Sequence, residues 1–271
     1  MSFLRYLIPP LCVALMPAWF TGEATADTTS TNERLWAPIA EDLQMARLQL
    51  SSRRLFSTEL TLFRTSLQRY RVGVVRATEF GSKRDNVRNL TQKAHAIAGI
   101  NANFFDKQNN PLGLVISKGI IQQKIHWGGS TLSGIFYATR KNIAIAPRKT
   151  FNPDQVLEAL QAGPRLISNS AREEGLHDSL APSRRAGVCI DGAGRLILFA
   201  VSSRIVGLDI EELQEILLRK DINCVQALNF DGGGSAQIFV DSKLPGGHDN
   251  EEHFIQGKDP IPVILALFRR P

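Results

Sequence analysis

Short apolar runs separated by turn residues recur along the chain and predict a fold rich in β-strands. Leu55–Phe63 and Tyr70–Ala77 carry β-branched and aromatic residues in rough alternation, which is typical of half-buried strands. Leu112–Ile121 predicts two short strands around a turn at Ser117–Gly119. Leu35–Leu50 has no clean period, and we expect a helical turn followed by a strand there.

Two further pairs of apolar runs predict β-hairpins. Gly134–Ala138 pairs with Ile143–Pro147, and Arg185–Ile190 pairs with Leu196–Val201 across a turn at Asp191–Gly194. Because the strands outnumber the helices and mostly come as hairpins, we expect an α+β fold. It should be a single domain with mixed, hairpin-rich β-sheets and a few packed helices.

Three segments predict helices. Thr91–Ala98 should form a short helix that leads into a buried strand at Ile97–Asn101. Asn152, followed by Pro153, is typical of the start of a second short helix. The clearest helix begins after Asp209, where a glutamate three positions on completes a capping box.

The first 26 residues have the pattern of a secretory signal peptide. Arg5 supplies the positive start, a short apolar stretch broken by three prolines follows, and Ala24–Ala26 is a small-x-small cleavage site. The stretch is too short and too broken for a membrane-spanning helix. We predict cleavage after Ala26, a periplasmic or secreted location, and no stable membrane insertion after cleavage.

Composition favours one globular domain with a mildly basic surface. The 271 residues, 43% of them apolar, are ample for one sizeable core. No linker interrupts the chain, so we assign residues 27–54 to a polar lead-in and residues 55–271 to one domain. The net charge of +6 is spread along the chain, which excludes a dedicated nucleic-acid binder but suits an anionic substrate or a cell-envelope polymer.

Two cysteines, Cys189 and Cys224, remain after the predicted cleavage. An exported chain with two cysteines can form one disulfide. Both residues also lie in apolar, strand-like runs, where a buried free thiol packs well. Both alternatives stay open, and we favour two buried thiols.

Residues 225–240 combine an apolar strand with a polar, glycine-rich turn. The strand ends at Asn229 and Asp231, and three glycines and Ser235 follow before a second apolar run. Glycine accepts positive φ and lets a ligand approach the backbone, and successive N–H groups in such a turn can bind an anion. The segment predicts an anion pocket beside a carboxylate, with a plain glycine-rich hairpin turn as the alternative.

Three other segments carry candidate chemistry. Asn101–Asp106 also runs from a strand into Asn, Phe and Asp, at a point where binding groups often lie. Gly163 and Pro164 follow an apolar run, where the structural alternative is the entry to a strand. Arg185 opens a buried strand and needs a partner, which is either Asp231 or a substrate phosphate.

In their order along the chain, these motifs resemble those of the phosphodiester glycosidase family. The order is Asn-x-x-Phe-Phe, Ala-Gly-Pro-x-Leu, Arg-x-x-x-x-x-Asp-x-x-Gly, Glu-Leu-x-x-x-Leu and Ala-Leu-Asn-Phe-Asp-Gly-Gly-Gly-Ser, within roughly residues 60–268. The positions typical of the family fall on Asn101, Phe104, Phe105, Gly163, Pro164, Arg185, Asn229, Asp231, Gly232, Gly233 and Ser235. Ala102 and Asn103 stand where the family usually has glycines, and Cys189 stands where it often has glycine.

The resemblance implies an exported hydrolase that cleaves the bond between the anomeric carbon of a sugar and a phosphodiester in a cell-envelope or extracellular glycan. Asp231 is the expected base or nucleophile, because glycosidases act through carboxylates. Arg185 and the N–H groups of Gly232, Gly233, Gly234 and Ser235 are expected to hold the phosphate. Asn101 and Asn229 would orient sugar hydroxyls or water. Phe104, Phe105, Gly163 and Pro164 would line the sugar pocket, although core packing is the alternative for the phenylalanines.

Other functions and sites carry less weight. Asp106, Asp191 and His126 are lesser candidates, with turn or loop roles as their alternatives. We expect no metal and no organic cofactor, because the oxygen-bearing side chains match no known calcium loop. The glycine run lacks the lysine of a phosphate-binding P-loop. The second hypothesis is a non-catalytic envelope module that binds phosphorylated glycan and assists exopolysaccharide assembly.

Overall fold

The architecture is mostly β, with 45% of the described residues in β-structure. The computed structural model describes residues 35–50, 58–176, 181–204, 206–244, 246–247 and 251–270. The strands are β1 Ala37–Ala40, β2 Leu43–Leu50, β3 Thr58–Thr65, β4 Tyr70–Arg76, β5 Ala98–Asn101, β6 Val115–Ser117, β7 Ile120–Gln123, β8 Gly134–Ala138, β9 Ile143–Pro147, β10 Glu158–Ala162, β11 Arg165–Ser168, β12 Ala171–Arg172, β13 Ala186–Asp191, β14 Leu196–Ser203, β15 Cys224–Asn229, β16 Ile238–Val240, β17 His253–Ile255 and β18 Val263–Arg269. The α-helices in these ranges are α1, Val87–Lys93, and α2, Ile210–Leu217. Within the described ranges, no helix has the length and apolar character needed to cross a bilayer.

The strands form three sheets. Sheet A has the order β1-β2-β3-β14-β13-β15-β11-β12, sheet B the order β17-β16-β5-β18-β4, and sheet C the order β7-β6-β10-β8-β9. The predicted hairpins β8–β9 and β13–β14 are confirmed. The expectation of mixed sheets is wrong for the described strands, because each recorded pairing is antiparallel. Hairpins and short connections bring neighbouring strands back side by side, whereas parallel pairing requires a long crossover.

The core lies between the sheets, and each helix covers one outer face. The largest buried cluster takes side chains from all three sheets, including Tyr70, Phe136 and Leu228. The apolar stripe of α2 packs on the other face of sheet A, and α1 packs on sheet B. The capping box of α2 is confirmed, with Asp209 accepting a hydrogen bond from the N–H of Glu212 at 2.7 Å.

The helix expected at Thr91–Ala98 begins earlier, as α1, because the Asn86 side chain caps it by accepting from the N–H of Asn89 at 2.8 Å. Two other local expectations are wrong. Residues 37–50 contain no helical turn, because they form β1 and β2 and extend sheet A beside β3. No helix begins at Asn152, because its side chain accepts a hydrogen bond from the N–H of Asp154 at 3.0 Å and closes a turn. The apolar residues that follow the turn enter β10, which is buried between β6 and β8.

The directions of the strands bring the ends of three strands together at one place. The end of β5 meets the start of β16, since Asn101 N–H donates to the Gln237 carbonyl at 3.1 Å. The chain just after β15 reaches the same place, because Asp231 N–H donates to the Ala102 carbonyl at 3.1 Å. The glycine-rich turn is therefore held where three strand ends converge.

Cys189 and Cys224 form a disulfide, so the expectation of two buried thiols is wrong. They lie on the adjacent strands β13 and β15, with Cα atoms 5.8 Å apart. Both belong to the buried cluster under α2. The antiparallel register brings the two side chains together, which no pattern within either strand indicates.

We predict that reduction of this disulfide lowers the free energy of unfolding by about 2–4 kcal/mol, because the unfolded chain regains the entropy of an open loop. Urea unfolding with and without a reductant measures the difference. The Cys189→Ala/Cys224→Ala variant is the control, because its stability should not respond to reductant. An equal response in both proteins would contradict the assignment.

Candidate active site

The glycine turn exists because other groups approach its backbone too closely for side chains. A Cβ on Gly232 would lie 2.7 Å from the Arg184 carbonyl oxygen. A Cβ on Gly234 would overlap the carboxylate of Asp259. Gly233 has φ of +56°, which favours glycine, and its N–H donates to the Arg184 carbonyl at 2.8 Å. The turn is thus packed between two other segments of the chain.

The buried side chain of Asn101 holds this turn in place through hydrogen bonds. Its side-chain amide donates to the Asp231 carbonyl at 2.6 Å, and its amide oxygen accepts from the N–H of Gln237 at 3.0 Å. The residue is fully buried. Both ends of the amide bond to backbone groups, so Asn101 is a positioning residue for the turn. These contacts do not support the sequence-based expectation that it orients sugar hydroxyls.

Gln237 is a second positioning residue, which the sequence analysis missed. Its amide nitrogen donates to the carbonyl oxygens of Ser235 at 3.2 Å and Asp259 at 2.9 Å. Its amide oxygen accepts from the N–H of Val87 at 2.8 Å, at the start of α1. One fully buried side chain therefore joins the glycine turn, the loop of Asp259 and a helix.

Asp231 has a strongly perturbed carboxylate. Burial is the largest cause and raises its pKa to about 6, and the negative charge of Asp259 acts in the same direction. Hydrogen bonds from the Ser235 hydroxyl and the Gly232 N–H oppose this and favour the ionised form. A carboxylate with a pKa near neutrality next to a second carboxylate is typical of acid–base sites.

Arg184 and Arg185 lie on opposite sides of the chain entering β13, as successive strand residues do. The Arg185 guanidinium is buried and donates to the carbonyls of Leu208 at 3.0 Å and Ala181 at 2.7 Å. Burial lowers its pKa, and nearby Asp209 opposes that shift. These contacts are not the Asp231 pairing that the sequence suggested.

Arg184 instead reaches the glycine turn. Its guanidinium donates to the carbonyls of Ala236 and Gln256, at 2.7 Å each. Its Nε is buried and has no hydrogen-bond partner among the described residues. Burial lowers its pKa, and no carboxylate contributes to that shift. Arg184 is therefore a partly buried cation with spare donor capacity.

A cavity of about 190 Å³ opens beside the turn. It is lined by Pro182, Ser183, Arg184, Ser203, Arg204, Gly207, Gly233, Gly234 and Lys258. Among the described residues, three cations and two hydroxyls line it and no carboxylate does. The chemistry of this lining suits an anion. The expected backbone nest contributes less than predicted, because the N–H groups of Gly233 and Ser235 already donate to protein carbonyls.

Asn229 lies deeper, against the turn at Gly163 and Pro164. Its amide nitrogen donates to the carbonyls of Gly163 at 3.2 Å and Phe230 at 2.7 Å, and its own N–H donates to the Pro164 carbonyl. Its amide oxygen is buried without a partner among the described residues, as is that of Asn103. Gly163 cannot carry a side chain, because a Cβ would overlap the Thr131 carbonyl. Asn229 thus ties the end of β15 to the Gly163–Pro164 turn, and its amide oxygen keeps unused acceptor capacity.

The remaining candidates have structural contacts. Phe104 and Phe105 are both half-buried, and Phe105 packs against the cluster under α1. Asp106 accepts hydrogen bonds within its own turn, and buried Asp191 does the same in the β13–β14 turn. His126 lies in an exposed loop held through its backbone by Gln161.

The sequence contains a pattern that could have identified one of the missed residues, Arg184, but none that could have identified Asp259 and Lys258. The parity of adjacent strand residues could have placed Arg184 on the side of the glycine turn, opposite Arg185. Asp259 and Lys258 lie in a loop with no periodic pattern, and only the fold brings them to the turn through hydrogen bonds from their N–H groups to the Gly234 carbonyl, at 3.0 and 2.7 Å.

Comparison with known proteins identifies related sequences and folds. The family model described as phosphodiester glycosidase matches residues 94–268. The fold is similar to the zebrafish N-acetylglucosamine-1-phosphodiester alpha-N-acetylglucosaminidase catalytic domain auto-inhibited by its pro-peptide. That match has a TM-score of 0.63 and 19% identity, and it covers 86% of this chain and 85% of that one.

Two bacterial structures have the same fold at lower identity. A hypothetical protein from Synechocystis matches with a TM-score of 0.57 and 14% identity, over 86% of this chain and 64% of that one. A putative exported protein from Burkholderia pseudomallei matches with a TM-score of 0.51 and 11% identity, over 79% and 74%. A search of curated proteins found no significant match.

We predict that Asp231→Asn is more stable than the wild type at pH 7, by on the order of 1–3 kcal/mol. The folded-state pKa of about 6 lies above the reference value of 3.8, so ionisation of Asp231 opposes folding. This cost is absent below pH 3.8, grows as the pH rises to about 6, and is fully present above that. Thermal unfolding of both proteins from pH 3.5 to 8 measures it. A stability difference that does not change with pH would contradict the shifted pKa.

Proposed function

The chain belongs to the phosphodiester glycosidase family, and on that premise we propose that it hydrolyses the bond between a sugar's anomeric carbon and a phosphodiester. The observation that carries the proposal is the arrangement around the glycine turn. A carboxylate with a raised pKa lies on the turn, and a cavity lined by cations opens beside it. Cleavage of this bond needs both a carboxylate at the anomeric carbon and positive charge at the departing phosphate.

We assign the phosphate to the cavity beside the turn. Arg184 is pre-positioned by its two carbonyl contacts, and its buried Nε lacks an acceptor. Lys258 and Arg204 add positive charge on the same cavity wall. Arg184 therefore replaces Arg185 as the proposed phosphate ligand, and Arg185 supports the backbone entering β13.

We assign attack on the sugar to Asp231. Its pKa of about 6 leaves it mostly ionised at pH 7, yet basic enough to accept a proton from water. In the hydrolysis, the bond from the anomeric carbon to the phosphate oxygen breaks, and its electron pair stays on the phosphate. Water oxygen forms the new bond to the anomeric carbon, and the water proton passes to Asp231. The expelled phosphate is a good leaving group, so a strong general acid is not required.

Asp259 is proposed to tune this reaction. Its negative charge raises the pKa of Asp231, and its carboxylate is fixed against Gly234. Asp259 can therefore keep Asp231 basic without itself contacting the anomeric carbon.

The substrate context is also a proposal. The leader-like start of the sequence and its cleavage pattern support export to the periplasm or beyond. We propose that the substrate is a glycan of the cell envelope or the extracellular space. A purely binding module would need the cations of the cavity but would gain nothing from a destabilising, pKa-shifted carboxylate, which favours the enzyme.

Asp231→Asn should reduce kcat/KM for a sugar-1-phosphodiester by roughly 10²–10⁴-fold, because the base is lost. The wild-type kcat/KM should rise with pH through about 6, since the ionised form is the active one. Release of free sugar from a panel of synthetic sugar-1-phosphodiesters measures both. Tight binding of these compounds with no sugar released by the wild type would instead support the non-catalytic module.

Arg184→Gln should lower kcat/KM on the same substrate roughly 10- to 100-fold, because a charge-assisted contact to phosphate is lost. On a nitrophenyl glycoside of the same sugar, which carries no phosphate, the variant should match the wild type. Arg172→Gln is the control for charge, because Arg172 is exposed and pairs with Glu215 on the surface. Arg185→Gln should lower stability instead. A phosphate-specific loss in Arg185→Gln, with none in Arg184→Gln, would reverse the assignment.

A further inference from the structure

A second cationic region lies at the end of sheet B opposite the glycine turn. Strands β5, β16 and β18 run between the two ends, so the residues flanking them separate into two groups. Asn101, Gln237 and Val263 lie at the end of the turn. Ile97, Asp241 and Arg269 lie at the other end and line a cavity of about 950 Å³.

A neighbouring cavity of about 500 Å³ extends this region under sheets A and C. Arg71 and Glu158 line both cavities, so the two cavities are adjacent. We call the joined cavities the cationic groove. Its combined volume exceeds that of a typical small-molecule pocket, which suits several linked sugar units.

Positive charge in the groove is largely uncompensated. Among the described residues, eight lysine and arginine side chains line the two cavities, against three carboxylates. Of these cations, Lys93 is in an ion pair among the described residues, with Asp85 at 2.7 Å. Lys118, Arg140, Lys141 and Lys243 have no recorded ion pair in the described ranges and are exposed. A concave surface of one sign concentrates counter-ions of the other.

The groove also offers fixed acceptors for hydroxyl groups. Glu158 is buried, and its two carboxylate oxygens accept from the N–H groups of Val74 at 2.8 Å and Lys118 at 3.1 Å. Each oxygen keeps a further lone pair. Asp241 supplies a second carboxylate to the lining. Hydroxyl groups donate to carboxylates, whereas a chain of phosphates would only be repelled by them.

We propose that the cationic groove binds a segment of an anionic glycan, a polymer of sugars that carries a carboxylate or phosphate on its repeating unit. The uncompensated cations meet the anionic groups, and Glu158 and Asp241 accept hydrogen bonds from sugar hydroxyls. A concave site favours a single extended chain over a flat membrane surface, and the carboxylates disfavour a simple polyanion. This site is independent of the proposed hydrolysis, because it lies at the opposite end of sheet B.

The test is binding of a fluorescently labelled hexagalacturonate, which has one carboxylate per sugar, measured by polarisation at low and physiological salt. The full chain should bind it, with an affinity that falls as salt rises. Unlabelled maltohexaose, a neutral chain of the same length, should compete at least tenfold less well than unlabelled hexagalacturonate. Inorganic polyphosphate and vesicles of anionic phospholipid are the competing ligand classes.

Charge reversal locates the site. The double variants Arg140→Glu/Lys141→Glu and Lys118→Glu/Lys243→Glu should each weaken hexagalacturonate binding at least tenfold. Lys149→Glu/Lys220→Glu changes the net charge equally at exposed positions outside the groove lining and should weaken it less than threefold. Lys258→Glu at the glycine turn should also leave this binding within threefold, whatever its effect on turnover.

Four results would overturn the proposal. The first is no hexagalacturonate binding at low salt. The second is an equal loss in the Lys149→Glu/Lys220→Glu control. The third is a loss confined to Lys258→Glu, which would place the ligand at the turn. The fourth is tighter, groove-dependent binding of polyphosphate or vesicles than of the glycan.

Discussion

The site depends on one constraint. Other chain segments lie so close to the backbone of the glycine turn that side chains would not fit there. The carbonyl of Arg184 and the carboxylate of Asp259 occupy the places where side chains of Gly232 and Gly234 would be. Asn101 and Gln237, both buried, hold the same turn through four hydrogen bonds to its backbone and to neighbouring backbone. The turn can therefore keep Asp231 and Asp259 close together although their charges repel.

This arrangement lowers the stability of the folded protein and makes Asp231 a better base. Burial and a like charge make the ionised Asp231 unfavourable in the folded protein, which is the property a base requires. The opposing hydrogen bonds from Ser235 and Gly232 limit the shift, so the carboxylate still ionises near neutral pH. The framework that tolerates this cost is extensive, because the described chain forms three antiparallel sheets and a disulfide joins β13 to β15.

The sequence predicted local features well and long-range ones poorly. The hairpins, the capped helix α2 and the glycine turn after Asn229 follow from periodicity, capping and turn chemistry, all of which act between near neighbours. The family resemblance, carried by motifs such as the glycine-rich string, is confirmed by the match over residues 94–268. The turn at Asn152 was mistaken for a helix because proline and asparagine begin both. Three long-range features depend instead on strand register and on a loop without periodicity. They are the disulfide between Cys189 and Cys224, the proximity of Asp259 to Asp231, and the choice of which adjacent arginine reaches the turn.

The central claim is that the folded protein holds Asp231 as a carboxylate with a pKa near neutrality beside a second carboxylate. Carbon-detected NMR titration of the side-chain carboxyl groups, with Asp231 assigned by its loss in Asp231→Asn, measures this directly. The account predicts a midpoint of about 6 that falls when Asp259 is replaced by asparagine. A midpoint at the ordinary value near 3.8, unaffected by Asp259→Asn, would contradict it.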